Sequence, residues 1–182
     1  SQPSIMEIIS SSRFLSVSFH FLLLLYLSKI VMSFNNPETI RKVLTTSKNI
    51  ALVGASKKSV RPSNYVMKFL LDNGYNVVPV NPALEGKELH GKLVYGSLSS
   101  IPKDVPIDMV DIFRNSEAVP PIVDEAISIG AKSIWMQVGV INETAAETAK
   151  KAGLEVVMNA CPKIEIPQLN ISGPSSQLRS EL

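Results

Sequence analysis

The chain has 182 residues, with 18 basic and 16 acidic side chains and a formal net charge of +2. Hydrophobic residues make up 45% and charged residues 19%, enough to bury a core, which excludes disorder over most of the length. The balanced charge and an aromatic content of 6% argue against a nucleic-acid binder, and one cysteine with two histidines argues against a disulfide framework and a metal site.

The first 31 residues differ from the rest. Arg13 precedes an apolar run from Phe14 to Leu27, interrupted by Ser16, Ser18 and His20 and followed by Lys29. The run is shorter than the ~20 apolar residues that span a bilayer comfortably. Three readings are open: a signal or membrane anchor, an organelle-targeting leader, or a segment outside the working protein, because Met32 opens what reads as a complete domain. The expected organisation is a leader over 1–31, a domain over 32–169 and a flexible tail over 170–182.

Asn36-Pro37-Glu38 reads as a helix start, with Ile40, Val43 and Leu44 as its apolar stripe. Asn49 to Val53 is a short apolar run closed by Gly54, the pattern of a strand buried on both faces. A helix is predicted from Ser63 to Asn73, stopped by Gly74, and a second strand over Asn76 to Val80, with Pro79 near its end. Asn81 to Gly91 reads as a loop and Leu93 to Tyr95 as a short extension. Further strands are predicted at Ile107–Phe113, Ser133–Gln137 and Glu155–Met158, alternating with helices over Ser116–Ile129 and from an Asn142 cap to Lys151. The tail from Asn159 has three prolines and no clear period. Such alternation predicts a Rossmann-like α/β fold: a doubly wound, five-stranded, mainly parallel sheet with helices on both faces.

Ligands of open α/β sheets sit beyond the carboxyl ends of the strands. The turn after the first strand reads Gly54-Ala55-Ser56-Lys57-Lys58-Ser59-Val60-Arg61-Pro62-Ser63. Gly54 permits a tight turn and close approach of a ligand. The next helix points free N–H groups and its positive end at the same spot, while Lys57, Lys58 and Arg61 add three cations. The pattern predicts a ligand rich in phosphate. The second and third glycines of the dinucleotide fingerprint are missing, as are a Walker lysine and a carboxylate at the end of the second strand, where Val80-Asn81-Pro82 stand instead. A nucleotide with an extra ribose phosphate fits this set better than NAD, ATP or GTP. Phe113 can flank a base or belong to the core, and Arg114 can meet a phosphate or simply end the strand. Trp135 reads equally as core or contact.

Taken in order, Val53-Gly54-Ala55-Ser56, Arg61-Pro62-Ser63, Val78-Pro79-Val80-Asn81-Pro82, Asp111-Ile112-Phe113-Arg114, Trp135-Met136-Gln137-Val138-Gly139-Val140 and Cys161-Pro162-Lys163-Ile164-Glu165 resemble the small stand-alone CoA-binding domain proteins of the YccU-like family. Those proteins resemble the CoA-binding domain of the succinyl-CoA synthetase alpha chain. The resemblance runs from about Asn36 to Leu169 and implies coenzyme A as ligand. It implies that Gly54, Ala55 and Ser56 take the phosphates, with Arg61 and Ser63 at the helix start beside them, where the loop itself adds Lys57. Val80, Asn81 and Pro82 would line the nucleotide slot, and Phe113 and Arg114 would lie at its adenine and phosphate end.

The expected function is a module that holds CoA or an acyl-CoA without turnover. The alternatives are an enzyme acting on a CoA thioester and an NADP-dependent oxidoreductase. No catalytic set is evident: His90 reads as a surface residue, and Cys161 as a small buried residue that could form a mixed disulfide with the CoA thiol if the arm reached it. No nucleic-acid partner is expected. A protein partner is open, and membrane contact or an organelle address would run through residues 14–31, with the cytoplasm as the default compartment.

Overall fold

A computed structural model of the chain describes residues 35–174. The expected leader and the end of the tail lie outside the described residues.

The first helix, α1 (Pro37–Thr46), starts as predicted. Asn36 caps it by accepting the Glu38 N–H at 2.9 Å, and Pro37 occupies the first helical position. It leads into β1 (Asn49–Val53), followed by α2 (Pro62–Asp72) and β2 (Asn76–Val80). A short hairpin, β3 (Glu88–Leu89) and β4 (Lys92–Leu93), comes next, then β5 (Met109–Ile112), α3 (Val119–Ser128), β6 (Ser133–Met136), α4 (Glu143–Lys151), β7 (Glu155–Val157) and α5 (Pro162–Gln168).

Five strands form one parallel sheet in the order β2-β1-β5-β6-β7. The chain steps from β1 to β2, then crosses back over β1 to reach β5. The reversal leaves a switch point between β1 and β5, where the strand ends diverge and a ligand fits. Successive strand residues face opposite sides. Ile50, Leu52, Met109, Trp135 and Val157 share one core with Leu44 of α1, Met67 and Leu70 of α2, and Ile166 of α5. The alternate residues, Ala51, Val110, Ile112, Ile134 and Met136, are equally buried and face the side where α3 packs on α4.

At the amino end of the sheet, Asp108 ties three strands together. One carboxylate oxygen accepts the Lys48 and Asn49 amides at 2.9 and 3.0 Å, and the other accepts Lys132 at 2.6 Å. Burial works to raise its pKa, but these hydrogen bonds outweigh it and hold the carboxyl below its ordinary value.

The architecture agrees with the expected five-stranded, Rossmann-like sheet. Pro79 is tolerated because β2 is an edge strand. Its free edge is partly covered by Tyr95, whose amide donates to the Pro79 carbonyl at 3.0 Å. Three expectations are corrected. The segment expected as a loop over Asn81–Gly91 enters the β3–β4 hairpin, turned by His90 and Gly91, both at positive φ. The tail, expected to have no regular element, holds α5, with Pro162 pre-set at its first position and Pro167 inside the final turn. The packing also continues past residue 169, because Ile171 is buried in the core.

Candidate ligand site at the carboxyl edge of the sheet

The loop from Gly54 to Arg61 is held by two side chains that reach in from outside and by one within it. Asn81, just after β2, donates from Nδ2 to the Ala55 carbonyl at 2.7 Å. Asn64, in the first turn of α2, donates from Nδ2 to the Ser56 carbonyl at 2.7 Å. The Lys58 amide donates to Ser56 Oγ at 3.2 Å. Asn64 Oδ1 in turn lies 3.1 Å from His90 Nε2, so the hairpin braces the loop through α2.

Gly54 explains its own identity. Its φ is +92°, and a Cβ there would stand 3.2 Å from the Phe113 carbonyl oxygen and from Arg114 Cδ. A side chain would be strained and would push against the end of β5.

The start of α2 is electrostatically unfinished. Arg61 occupies its cap position without a side-chain hydrogen bond, and the first turn has no acidic residue. Helix starts usually carry an oxygen acceptor and negative charge. Here Lys57, Lys58 and Arg61 add positive charge instead. These three and Arg114 are exposed, and among the described residues none of them forms an ion pair. Unpaired cations at the positive end of a helix create a local field that favours an anion.

A cavity of about 990 Å³ opens over this loop. Its size is at the top of the ~300–1,000 Å³ usual for ligand pockets. It is lined by Gly54, Ala55, Ser56, Lys57, Arg61 and Ser63, by Asn81, Phe113 and Arg114, and beyond β6 by Gln137, Val138, Cys161 and Ile164. Its described lining contains no carboxylate and no histidine. Val80 and Pro82 line a second cavity of about 220 Å³, which shares Gly54, Asn81 and Arg114 with the first. The residues expected to contact the ligand, Gly54 to Lys57, Arg61, Ser63, Val80 to Pro82, Phe113 and Arg114, therefore line two adjoining hollows at the carboxyl edge of the sheet.

Their expected roles change in detail. The Gly54 and Ala55 amides both donate to the Val80 carbonyl, at 2.9 and 3.3 Å, because the turn closes on the end of β2. Between Gly54 and Ser63, the amides left open among the described residues are those of Ser56, Lys57, Ser59 and Val60, with Ser63 in the first helical turn, where N–H groups have no intrahelical partner. Asn81 spends its side chain on the Ala55 carbonyl and the Ala83 amide. Phe113 is both: it lines the cavity and is half-buried against the core. Trp135 is core, fully buried, with Nε1 donating to the Ala160 carbonyl at 2.9 Å. The sequence does not show Asn64 and His90 as supports of the loop: Asn64 reads as an ordinary residue of the α2 start, and His90 reaches it only through a hairpin that composition and period do not reveal.

Residues 48–167 match the family described as CoA binding domain. The chain is 39% identical over 125 residues to YneT, an uncharacterised protein of Bacillus subtilis (strain 168), covering 69% of this chain and 90% of that one. A solved hypothetical protein from Pyrococcus horikoshii OT3 superposes with a TM-score of 0.70 at 43% identity, over 75% of this chain and 93% of that one. Acetate–CoA ligase (ADP-forming) I subunit alpha of Pyrococcus furiosus is 28% identical over 64% of this chain, which spans only 28% of that longer protein. The family match takes in the sheet, the loop after β1 and all but the last residue of α5, and the chain belongs to the CoA-binding domain family.

Proposed function

We propose that the protein holds coenzyme A or an acyl-CoA, without turning it over, in the cavity at the β1–β5 switch point. The observation that carries this reading is the unneutralised start of α2: four unpaired cations, open amides at Ser56, Lys57 and Ser63, and no carboxylate in the described lining of the main cavity. CoA supplies a matching set of charges, a pyrophosphate and a ribose 3′-phosphate. The pyrophosphate lies against the Ser56–Lys57 amides, the Ser56 hydroxyl and Arg61, with Lys57 and Lys58 drawing it in. The nucleotide end takes the adjoining hollow of Val80, Asn81 and Pro82, beside Phe113 and Arg114. Asn81 stands where an acidic residue would meet the ribose of NAD, so the end of β2 adds no negative charge beside the 3′-phosphate; Glu125 of α3, which also lines this hollow, accepts the Ser99 amide at 2.8 Å. The pantetheine arm then runs toward Gln137, Val138 and Cys161.

The working domain is proposed to run from residue 32 through the packed part of the chain, and the compartment to be the cytoplasm. Among the described residues no helix is long and apolar enough to cross a membrane. Calorimetric titration with CoA, with NADP and NAD as controls, tests the reading. Heat with CoA alone supports it; heat with NADP and none with CoA overturns it in favour of a redox role.

A further inference from the structure

The main cavity has two ends of unlike character. The strand order sets them apart. The cationic loop leaves β1 and Asn81 follows β2, whereas Gln137 leaves β6 and Cys161 follows β7, three strand spacings from β1, or roughly 14 Å. The far end is lined by Tyr65 of α2, Ile164 of α5, Val138 and Val140 after β6, Gln137 and Cys161. α2 packs against α5, which brings Tyr65 and Ile164 to the same cavity. No acid, base or histidine stands among these six residues, while Lys57, Lys58 and Arg61 line the other end.

Apolar side chains lie uncovered at this far end. Six large apolar residues are exposed among the described residues, and three of them, Tyr65, Val138 and Ile164, line this one cavity at 44, 62 and 47% exposure. Single exposed apolar residues are ordinary, but a convergent set with a polar margin marks a binding groove. Burial pushes the Cys161 thiol up, so this part of the wall is an uncharged S–H. Gln137 is buried and donates from Nε2 to Asp111 Oδ1 at 2.9 Å, and its amide oxygen has no hydrogen bond among the described residues. That oxygen is a neutral acceptor for an amide N–H of the pantetheine arm. The charged groups nearby do not serve an anion. Asp111, behind Gln137, is a fully buried acid with Oδ2 unpartnered, and the Lys163 ammonium lies over the Tyr65 and Phe69 rings, 5.6 and 6.0 Å from their centroids.

We propose that the far end of the cavity seats an uncharged, apolar acyl group carried on CoA and discriminates against acyl groups that end in a carboxylate. This rests on the CoA reading given above and names the acyl class that reading leaves open. The phosphates fix one end of the ligand and the arm crosses the strand ends. The acyl chain then covers Tyr65, Val138 and Ile164 from water. Each methylene buried there raises affinity about three- to fourfold. A terminal carboxylate would lose its water with no cation in the far-end lining to replace it.

The test titrates the full chain calorimetrically with CoA, acetyl-CoA, butyryl-CoA and succinyl-CoA. The last two carry acyl chains of equal length, one ending in a methyl group and the other in a carboxylate. Butyryl-CoA is expected to bind about tenfold tighter than acetyl-CoA, for two added methylenes, and succinyl-CoA roughly tenfold or more weaker than butyryl-CoA. Ile164→Asp, at a half-exposed position, should erase the advantage of butyryl-CoA over acetyl-CoA. If that chain does not fold, Val138→Asp takes its place, at a more exposed position after β6. Butyryl-CoA no tighter than acetyl-CoA, or succinyl-CoA as tight as butyryl-CoA, overturns the proposal and leaves the CoA reading standing. So does a butyryl advantage that survives in the folded variant. A chain that binds none of the four ligands overturns the reading and the proposal together.

Discussion

Asn64 holds the Ser56 carbonyl from one end of its side-chain amide and meets His90 Nε2 at the other, at 2.7 and 3.1 Å. The loop that carries the candidate phosphate contacts is therefore braced by a residue 26 positions further along the chain from Asn64. Bracing matters because a loop ordered before binding loses less entropy when the ligand arrives. His90 is exposed, so its loss should leave the core intact. His90→Ala is expected to weaken CoA binding about two- to fivefold with little change in melting temperature, and Asn64→Ala to weaken it more, at about 1 kcal/mol for each hydrogen bond lost. Paired calorimetric titration and thermal melts check this. Equal affinity in both variants would show that the brace does not set the loop.

Arg61 combines an exposed guanidinium with the cap position of α2. Arg61→Ala should weaken CoA binding about fivefold at low ionic strength, and the difference should shrink toward nothing as salt screens the exposed charge. Titrations at three salt concentrations measure the slope. A deficit that does not change with salt would place Arg61 in a structural role.

Gly54→Val should do two things at once. Positive φ costs a side chain about 1–2 kcal/mol, and the contacts with Phe113 and Arg114 add to that. The melting temperature should fall, and CoA binding should be lost in the fraction that remains folded. Retained affinity in a folded Gly54→Val protein would put the phosphates elsewhere.

Much of this was legible from residues alone, and the reason is physical. A parallel sheet covered on both faces requires short unbroken apolar runs, and Asn49–Val53 and Ser133–Gln137 display them without the help of any partner segment. The cationic turn after β1 is likewise local, since Gly54, the lysines and Arg61 stand within eight positions. What stayed hidden depends on distance along the chain. The hairpin strands are two residues each, too short to show a period, and their turn relies on His90 taking positive φ. α5 has only seven residues and two prolines, so its apolar face is a single buried Ile166 beside Pro162. Nothing local reveals that the Gly54 and Ala55 amides are spent on Val80, or that Asp111 lies fully buried with one open oxygen.

Asp111 gives the fold a definite pH dependence. Its carboxyl is raised by burial to about 7 in the folded chain, far above an ordinary unfolded carboxylate. The folded state therefore binds the proton more tightly, its advantage is complete below the unfolded pKa, and it is lost as pH rises through about 7. Asp111→Asn should remove this fall, leaving the variant less sensitive to pH than the unaltered chain between about 4 and 8. Urea midpoints across that range measure it. Parallel curves for the two proteins would show that Asp111 titrates normally.

In the proposed function CoA sits at the β1–β5 switch point, with its phosphates against the start of α2. Amide chemical-shift mapping of the labelled chain during titration with CoA tests this most directly. Saturable shifts are expected from Gly54 to Ser63, at Phe113 and Arg114, and at Gln137 and Val138. Shifts clustered instead around Ile101, Val105 and Ile129, at the separate hollow those residues line, would contradict it, as would no shift at CoA concentrations that saturate a family member.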